Sequence, residues 1–228
     1  MLAMFGINPL QPLVSQVSRF DRWKDPWGVI DAYRLAKEEI PKMQLALVGV
    51  MTAKDDPDAL EVFADIQQYA RCDPDIHLFS NPLLVGDLEI NAFQSGSDVI
   101  VQKSIREGFG LTVAEAMWKA TPVVGGDCGG IRRQICDGVN GFLVTDASSC
   151  ASRLVALLKD QALSKAIGDA GKESVRRDYL MPRLLKDYLD LLLALVDGKE
   201  TDSTTESQHI AGNPPGEEPA RFIQPLAY

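Results

Sequence analysis

The sequence has little that would suit a membrane span, a nucleic-acid binder or a disulfide scaffold. Its longest purely apolar run near the C-terminus is Leu191 to Val196, far below the roughly 20 residues that cross a bilayer. Basic residues are in the minority, 23 Lys and Arg against 32 Asp and Glu, for a formal charge of -9. Such a surface repels nucleic acid and anionic lipid, so neither is expected as a partner, and any anionic ligand needs a local pocket of positive charge. Cysteine is scarce: Cys72, Cys128, Cys136 and Cys150 form no C-x-x-C pair, and a chain of this size needs no disulfide framework. All four read as small, mostly buried thiols; Cys128 lies in a glycine-rich stretch with no base signature beside it. Histidine is rarer still. His77 alternates with apolar neighbours and reads as structural, and His209 reads as solvated. Met1 to Leu10 carries no basic residue ahead of its apolar stretch, so no secretory signal is expected and the cytoplasm is the default location.

What is present is the balance of a globular chain: 228 residues, 46% hydrophobic and 24% charged, enough for one well-cored domain and a tail. Short apolar runs alternate with longer amphipathic segments, the periodicity of β-α-β units around a parallel sheet. The runs Leu13 to Ser18, Gln44 to Val50, Ile76 to Ser80, Asp98 to Gln102, Pro122 to Gly125 and Gly141 to Val144 read as strands. Helical patterns cover Pro26 to Ile40, Asp58 to Cys72, Asp87 to Ser95, Leu111 to Trp118, Gly130 to Cys136, Ser148 to Lys159, Gln161 to Arg177 and Pro182 to Val196. The last has leucines all round and is expected to be packed. The fold class is α/β: a single doubly wound parallel sheet, Rossmann-like, with C-terminal helices. From Asp197 onward the composition turns to Gly, Ser, Thr, Glu and Pro with acids in excess, so residues 1–196 are expected to form the domain and 197–228 a disordered acidic tail.

Three features carry chemistry. Arg19 and Lys24 sit in the loop between the first strand and the helix opening at Pro26. In an open α/β sheet that loop faces the ligand crevice, and a planar fork of donors beside a mobile point charge suits a diphosphate. The bland alternative is a solvated loop with Asp21 and Asp25 as local salt-bridge partners. Second, Arg106-Glu107-Gly108-Phe109-Gly110-Leu111-Thr112 follows a strand and leads into a helix holding Glu115. Unpaired amides at a helix start accept phosphate oxygens, and a carboxylate one turn in can take both hydroxyls of a ribose. The two glutamates also raise a hydrolase. Were the stretch all helical, eight steps of about 1.5 Å would part their α-carbons by about 12 Å, beyond the usual spacing of hydrolytic pairs. Third, Gly125-Gly-Asp-Cys-Gly-Gly130 lacks both the G-x-G-x-x-G order and the P-loop lysine; it reads as a tight strand-to-helix turn, and neither a redox dinucleotide nor an ATP site is indicated.

Taken together with Pro122-Val-Val, Gly129-Gly-Ile and Asp137-Gly-Val-Asn-Gly-Phe-Leu-Val144, these features resemble the donor-binding half of retaining, two-domain (GT-B) nucleotide-sugar glycosyltransferases over residues 13–196. More narrowly, Phe20-Asp-Arg-Trp-Lys24, Val48-Gly-Val-Met51, Asp55-Asp-Pro57, Asn91-Ala-Phe-Gln94, Ser104 to Thr112 and Glu115-Ala-Met-Trp118 are similar to the trehalose glycosyltransferring synthases. The resemblance implies that Arg19 and Lys24 hold the donor diphosphate and that Glu107 contacts the transferred glucose. It places Gly108, Phe109, Gly110, Leu111 and Thr112 around the donor, and Glu115 on its ribose. It further implies a nucleoside diphosphate glucose as donor, glucose as acceptor, retention of configuration, and no metal or cofactor. The family's acceptor half is expected to be absent from this chain, which makes it a truncated product, a fragment, or one half of a split enzyme whose partner is a separate acceptor-domain chain, and full turnover is expected to need that half; the alternative is a non-catalytic nucleotide-sugar binding module. The exposed face of the last helix also raises a homodimer.

Overall fold

In a computed structural model of the chain, residues 1–49, 57–71, 73–81 and 83–196 are described. Cys72, Met51, Asp55, His209 and the tail expected over 197–228 lie outside them. Residues 1–184 form one compact unit, and the residues from Leu185 belong to a second.

The first unit is built on six parallel strands: β1 (Leu13–Val17), β2 (Gln44–Val48), β3 (Ile76–Phe79), β4 (Val99–Gln102), β5 (Val123–Gly126) and β6 (Phe142–Val144). They lie in the order β3-β2-β1-β4-β5-β6. The connecting helices are α1 (Pro26–Glu39), α2 (Pro57–Tyr69), α3 (Asp87–Gly96), α4 (Leu111–Trp118), α5 (Ile131–Gln134), α6 (Ala147–Lys159) and α7 (Gln161–Asp178). Every residue of β1, β2, β4 and β5 is buried, which explains why they read as short apolar runs rather than alternating ones: a parallel sheet is covered on both faces. One face packs Val14, Leu45, Leu47, Val99 and Val101 against Val29, Ile30 and Tyr33 of α1 and Leu154 and Leu157 of α6. The opposite face sets Ile100 and Val123 against Val113 and Met117 of α4 and Ile131 of α5. Each aliphatic side chain so buried stabilises the fold by about 1.5–3 kcal/mol relative to exposure.

Local chemistry sets the helix starts. Pro26 fills the first turn of α1 and the Asp25 carboxylate accepts from the Gly28 amide; Asp146 and Asp160 cap α6 and α7 in the same way. Helix α5 is shorter than its pattern. Asn140 Oδ1 takes the Cys136 amide at 2.7 Å while its Nδ2 donates to the Gln134 carbonyl at 3.0 Å, so a side chain replaces the next helical turn.

Two expectations need correction. Cys150 is buried, but Cys128 is only half-buried and Cys136 is exposed. The final helix, α8 (Met181–Val196), has no buried residue, and Leu185, Tyr188, Leu192 and Leu195 are all exposed. A leucine-rich pattern reports the capacity to be buried, and burial itself requires a facing surface.

Candidate functional site

Strand β1 leaves through α1 toward β2 on one side, and its neighbour β4 leaves through α4 toward β5 on the other. The carboxyl ends of β1 and β4 therefore open the crevice in which α/β sheets of this topology take ligands. The sequence-selected loops meet there.

After β1 the chain forms a short 3-10 turn, Arg22–Lys24, whose start is capped by Asp21 accepting the Lys24 amide at 3.1 Å. Gln16, buried within β1, donates to the Lys24 carbonyl at 2.8 Å. Lys24 is thus fixed at both its N–H and its C=O. Asp25 adopts a left-handed conformation at φ 48°, which Asp tolerates better than most side chains, and this bend turns the chain into α1. The Lys24 ammonium reaches across the crevice to Glu107 Oε2, and Glu107 Oε1 accepts the Gly108 amide at 3.2 Å. Both side chains are largely covered, 16% and 13% exposed, so solvent screens their attraction less than it screens a surface pair.

The two loops are tied together beneath that pair. Lys103, at the end of β4 with its side chain 7% exposed, donates to the Asp25 carboxylate. The Ile105 amide donates to the Trp23 carbonyl at 2.9 Å, and the Arg106 guanidinium lies 5.3 Å from the Trp23 ring. Gly110, at φ 88°, ends the loop and opens α4, and no side chain caps that start; the Val113 amide donates to the Gly110 carbonyl at 2.9 Å, which leaves the Leu111 and Thr112 amides ahead of it open to an anion.

The glycine-rich turn after β5 joins the same site. A Cβ on Gly129 would fall 1.8 Å from the Glu107 carbonyl oxygen, and one on Gly130 would fall 2.4 Å from that of Gly108. The Gly130 amide donates to the Glu107 carbonyl at 3.2 Å. This turn is therefore the backstop that shapes the Glu107–Phe109 loop, a role hidden in the sequence because about 20 residues and a helix intervene. The Cys128 thiol donates to the Ser104 carbonyl at 3.0 Å; burial, then the Glu107 and Asp127 carboxylates, push its pKa up. It stays a protonated hydrogen-bond donor.

The remaining candidates are spread around this centre. Arg19 is 69% exposed and pairs with Asp21 at 3.2 Å, not with Glu107. Gly108 borders open space. Phe109 and Leu111 are exposed and Thr112 half-buried. Glu115, one turn into α4, is bound by Gln94 of α3 at 2.7 Å and shares no hydrogen bond or ion pair with Lys24 or Glu107 among the described residues. Asp25, Lys103, Gln94 and Gly129 join the site through tertiary contacts that no local sequence signal announces. Asp25 was legible only as a local partner, and its contact with Lys103 bridges 78 positions.

A six-stranded parallel sheet with helices on both faces, and with a lysine and a glutamate meeting at its switch point beside an uncapped helix start, is a Rossmann-like α/β domain. Residues 3–174 match the family Glycosyl transferases group 1, and the chain belongs to that family. Its relatives include trehalose synthase of Rubrobacter xylanophilus, 50% identical over 195 residues, covering 86% of this chain and 46% of the relative. Trehalose synthase of Thermococcus litoralis is 47% identical over 191 residues, covering 84% and 46%. The chain spans about half the length of these curated relatives. Its structural neighbours are GT-B glycosyltransferases. Sucrose-phosphate synthase of Thermosynechococcus elongatus superposes with a TM-score of 0.68 at 28% identity, covering 86% of this chain and 48% of that one. HepE of Anabaena, solved in complex with UDP-glucose, shares the fold at a TM-score of 0.67 and 22% identity, covering 81% and 49%. Among the described residues no helix is long and apolar enough to cross a membrane.

Proposed function

We propose that this chain is the donor-binding half of a retaining glycosyltransferase of trehalose synthase type, which moves glucose from a nucleoside diphosphate glucose to a glucose acceptor. The observation that carries the reading is the Lys24–Glu107 pair across the crevice, beside the open start of α4. As donor enters, its diphosphate replaces Glu107 as the partner of Lys24, and the released carboxylate takes hydroxyls of the glucose. Breakage of the glycosidic bond builds positive charge at the sugar and negative charge on the departing diphosphate. Lys24 and the amides of Gly110, Leu111 and Thr112 face that negative charge; Arg19 adds a flexible cation at the rim. A preorganised donor of this kind contributes about 3–4 kcal/mol to the transition state. Glu115 binds the ribose hydroxyls. The trehalose synthase relatives support trehalose as the product, and the UDP-glucose complex of HepE supports a nucleotide-sugar in this type of fold.

The chain spans about half of those relatives, and the acceptor site and closure of the cleft are assigned to the part of them that it does not cover. A second reading is a nucleotide-sugar binding module without turnover. A panel of UDP-, ADP-, GDP- and dTDP-glucose screened by thermal shift tests donor binding, since a ligand that binds only the folded state must raise its stability. No shift with any donor refutes both readings. Binding followed by trehalose formation when an acceptor half is added supports the first, and binding without product leaves the second.

A further inference from the structure

We infer that Gln94 is a positioning residue for nucleotide recognition: it aims the Glu115 carboxylate through a hydrogen bond whose direction is set by Lys119. The inference rests on the proposed role of Glu115 at the ribose and goes beyond it to the group that makes Glu115 selective.

Gln94 lies on α3 and is 1% exposed. Its Nε2 donates to Glu115 Oε2 at 2.7 Å, and its Oε1 accepts from Lys119 Nζ at 2.8 Å. A glutamine amide has two ends that differ only in what they can do: one accepts, the other donates. Lys119 offers donors alone, so it holds the amide oxygen, and the NH2 group is thereby turned to Glu115. The backbone is held as firmly. The Thr121 hydroxyl, buried past the end of α4, donates to the Gln94 carbonyl at 2.6 Å, and α3 packs beside α4.

The consequence for Glu115 is specific. One carboxylate oxygen is committed to Gln94, and Oε1 has no partner among the described residues. A neutral amide orients the carboxylate without neutralising it. Lys119 acts on the carboxylate side chain through that amide; its own bond to this residue is to the Glu115 backbone carbonyl, at 3.4 Å. The geometry fits a charged acceptor held still for a vicinal diol. Loss of an orienting bond to a charged group should reduce selectivity for ribose hydroxyls on the order of tenfold.

The test uses the full chain and measures, by calorimetry, the affinity ratio of UDP over 2′,3′-dideoxy-UDP and of ADP over 2′,3′-dideoxy-ADP. Gln94→Met removes both polar ends, and Gln94→Glu keeps the shape and the Lys119 contact while removing the donor. The expected result is a high ratio in wild type that collapses in both variants toward the ratio of Glu115→Ala, with dideoxy affinity little changed. Variants that melt lower yet keep the wild-type ratio overturn the inference and reduce Gln94 to a tie between two helices. If neither variant folds, half-exposed Lys119→Met decides by the same ratio, because it frees the amide to rotate. A wild type without ribose preference, or a Glu115→Ala that retains it, removes the Glu115 assignment itself, while nucleotide binding at Lys24 is judged separately by the dideoxy affinities.

Discussion

Two lysine-carboxylate clusters sit at opposite ends of the same sheet, and they differ in what surrounds them. At the amino ends, Lys37 of α1 donates to Asp73 at 2.7 Å and Asp75 at 2.8 Å, just ahead of β3. The Tyr33 hydroxyl donates to the Met43 carbonyl at 3.2 Å, just ahead of β2. Burial opposes the charge on Lys37, but its bonds to the two aspartates outweigh that and raise its pKa. Tyr33 is pushed up to about 12, chiefly by burial. Burial likewise works against ionised Asp73, and the hydrogen bonds from Lys37, the Asp75 amide and Tyr33 together with the Lys37 charge outweigh it, so Asp73 titrates below its ordinary value. That cluster is saturated by its own members. At the carboxyl ends, Lys24 and Glu107 lie beside unfilled amides and open space at Gly108. A closed cluster stabilises; a pair with open donors beside it can exchange partners with a ligand.

The comparison can be broken at several points. The largest effect is expected from Gly129→Ala: a methyl placed 1.8 Å from the Glu107 carbonyl, on a residue at φ 43°, must displace the loop. Donor affinity should fall below detection in calorimetry, with a melting temperature several degrees lower; an unchanged affinity would show that the backstop has no bearing on the site.

Next comes a crossed pair of substitutions. Lys24→Ala should weaken nucleoside diphosphate glucose binding about 10- to 100-fold, as loss of a charge-assisted bond implies, and should also lower the melting temperature because the covered Glu107 carboxylate loses its partner. Lys37→Met should cost about 1–3 kcal/mol in urea unfolding and leave donor affinity alone. If Lys37→Met impairs binding as much as Lys24→Ala does, the two clusters are not functionally distinct.

A smaller effect is carried by pH. Asp73 has a depressed pKa in the fold, so its contribution is complete above the ordinary aspartate value near 4 and is lost as the pH falls through the folded value. Lys37 has the opposite sign: its raised pKa contributes fully below about 10.5 and is lost at higher pH. Wild type should therefore lose stability on acidification below about pH 4, and Lys37→Met should show a shallower loss there. Parallel acid limbs would refute the coupling. The smallest expected change is at Arg19→Ala, which should weaken donor binding only a few-fold, since an exposed cation is largely screened; an effect equal to that of Lys24→Ala would move the centre of the diphosphate site.

The strands and most helices were legible because their signals are local. Leu111–Trp118 matches its pattern end to end, and the other elements differ from theirs by a few residues. The Glu107 to Glu115 segment was legible for the same reason, its glycines and acids lying within one loop and one turn. The burial expected for the leucines of α8 was not met, since periodicity contains no information about what faces a helix. The glycine turn at 125–130 reads as a plain turn because its partner is the backbone of a distant loop, and backbone contacts leave no residue signature.

What the sequence determined by itself is the alternation of elements and the chemistry available in each loop, because backbone geometry converts side-chain period directly into strand or helix. Which loops share a crevice was decided only by the sheet order, which sets the ends of β1, β4 and β5 near one another while tens of residues separate them along the chain. Lys24 with Glu107, Lys103 with Asp25, Gly129 with the Glu107 carbonyl, and Gln94 with Glu115 all depend on that arrangement. Hydrogen bonds and ion pairs act over a few ångströms of space, and the crossovers between parallel strands are what bring distant positions within that reach.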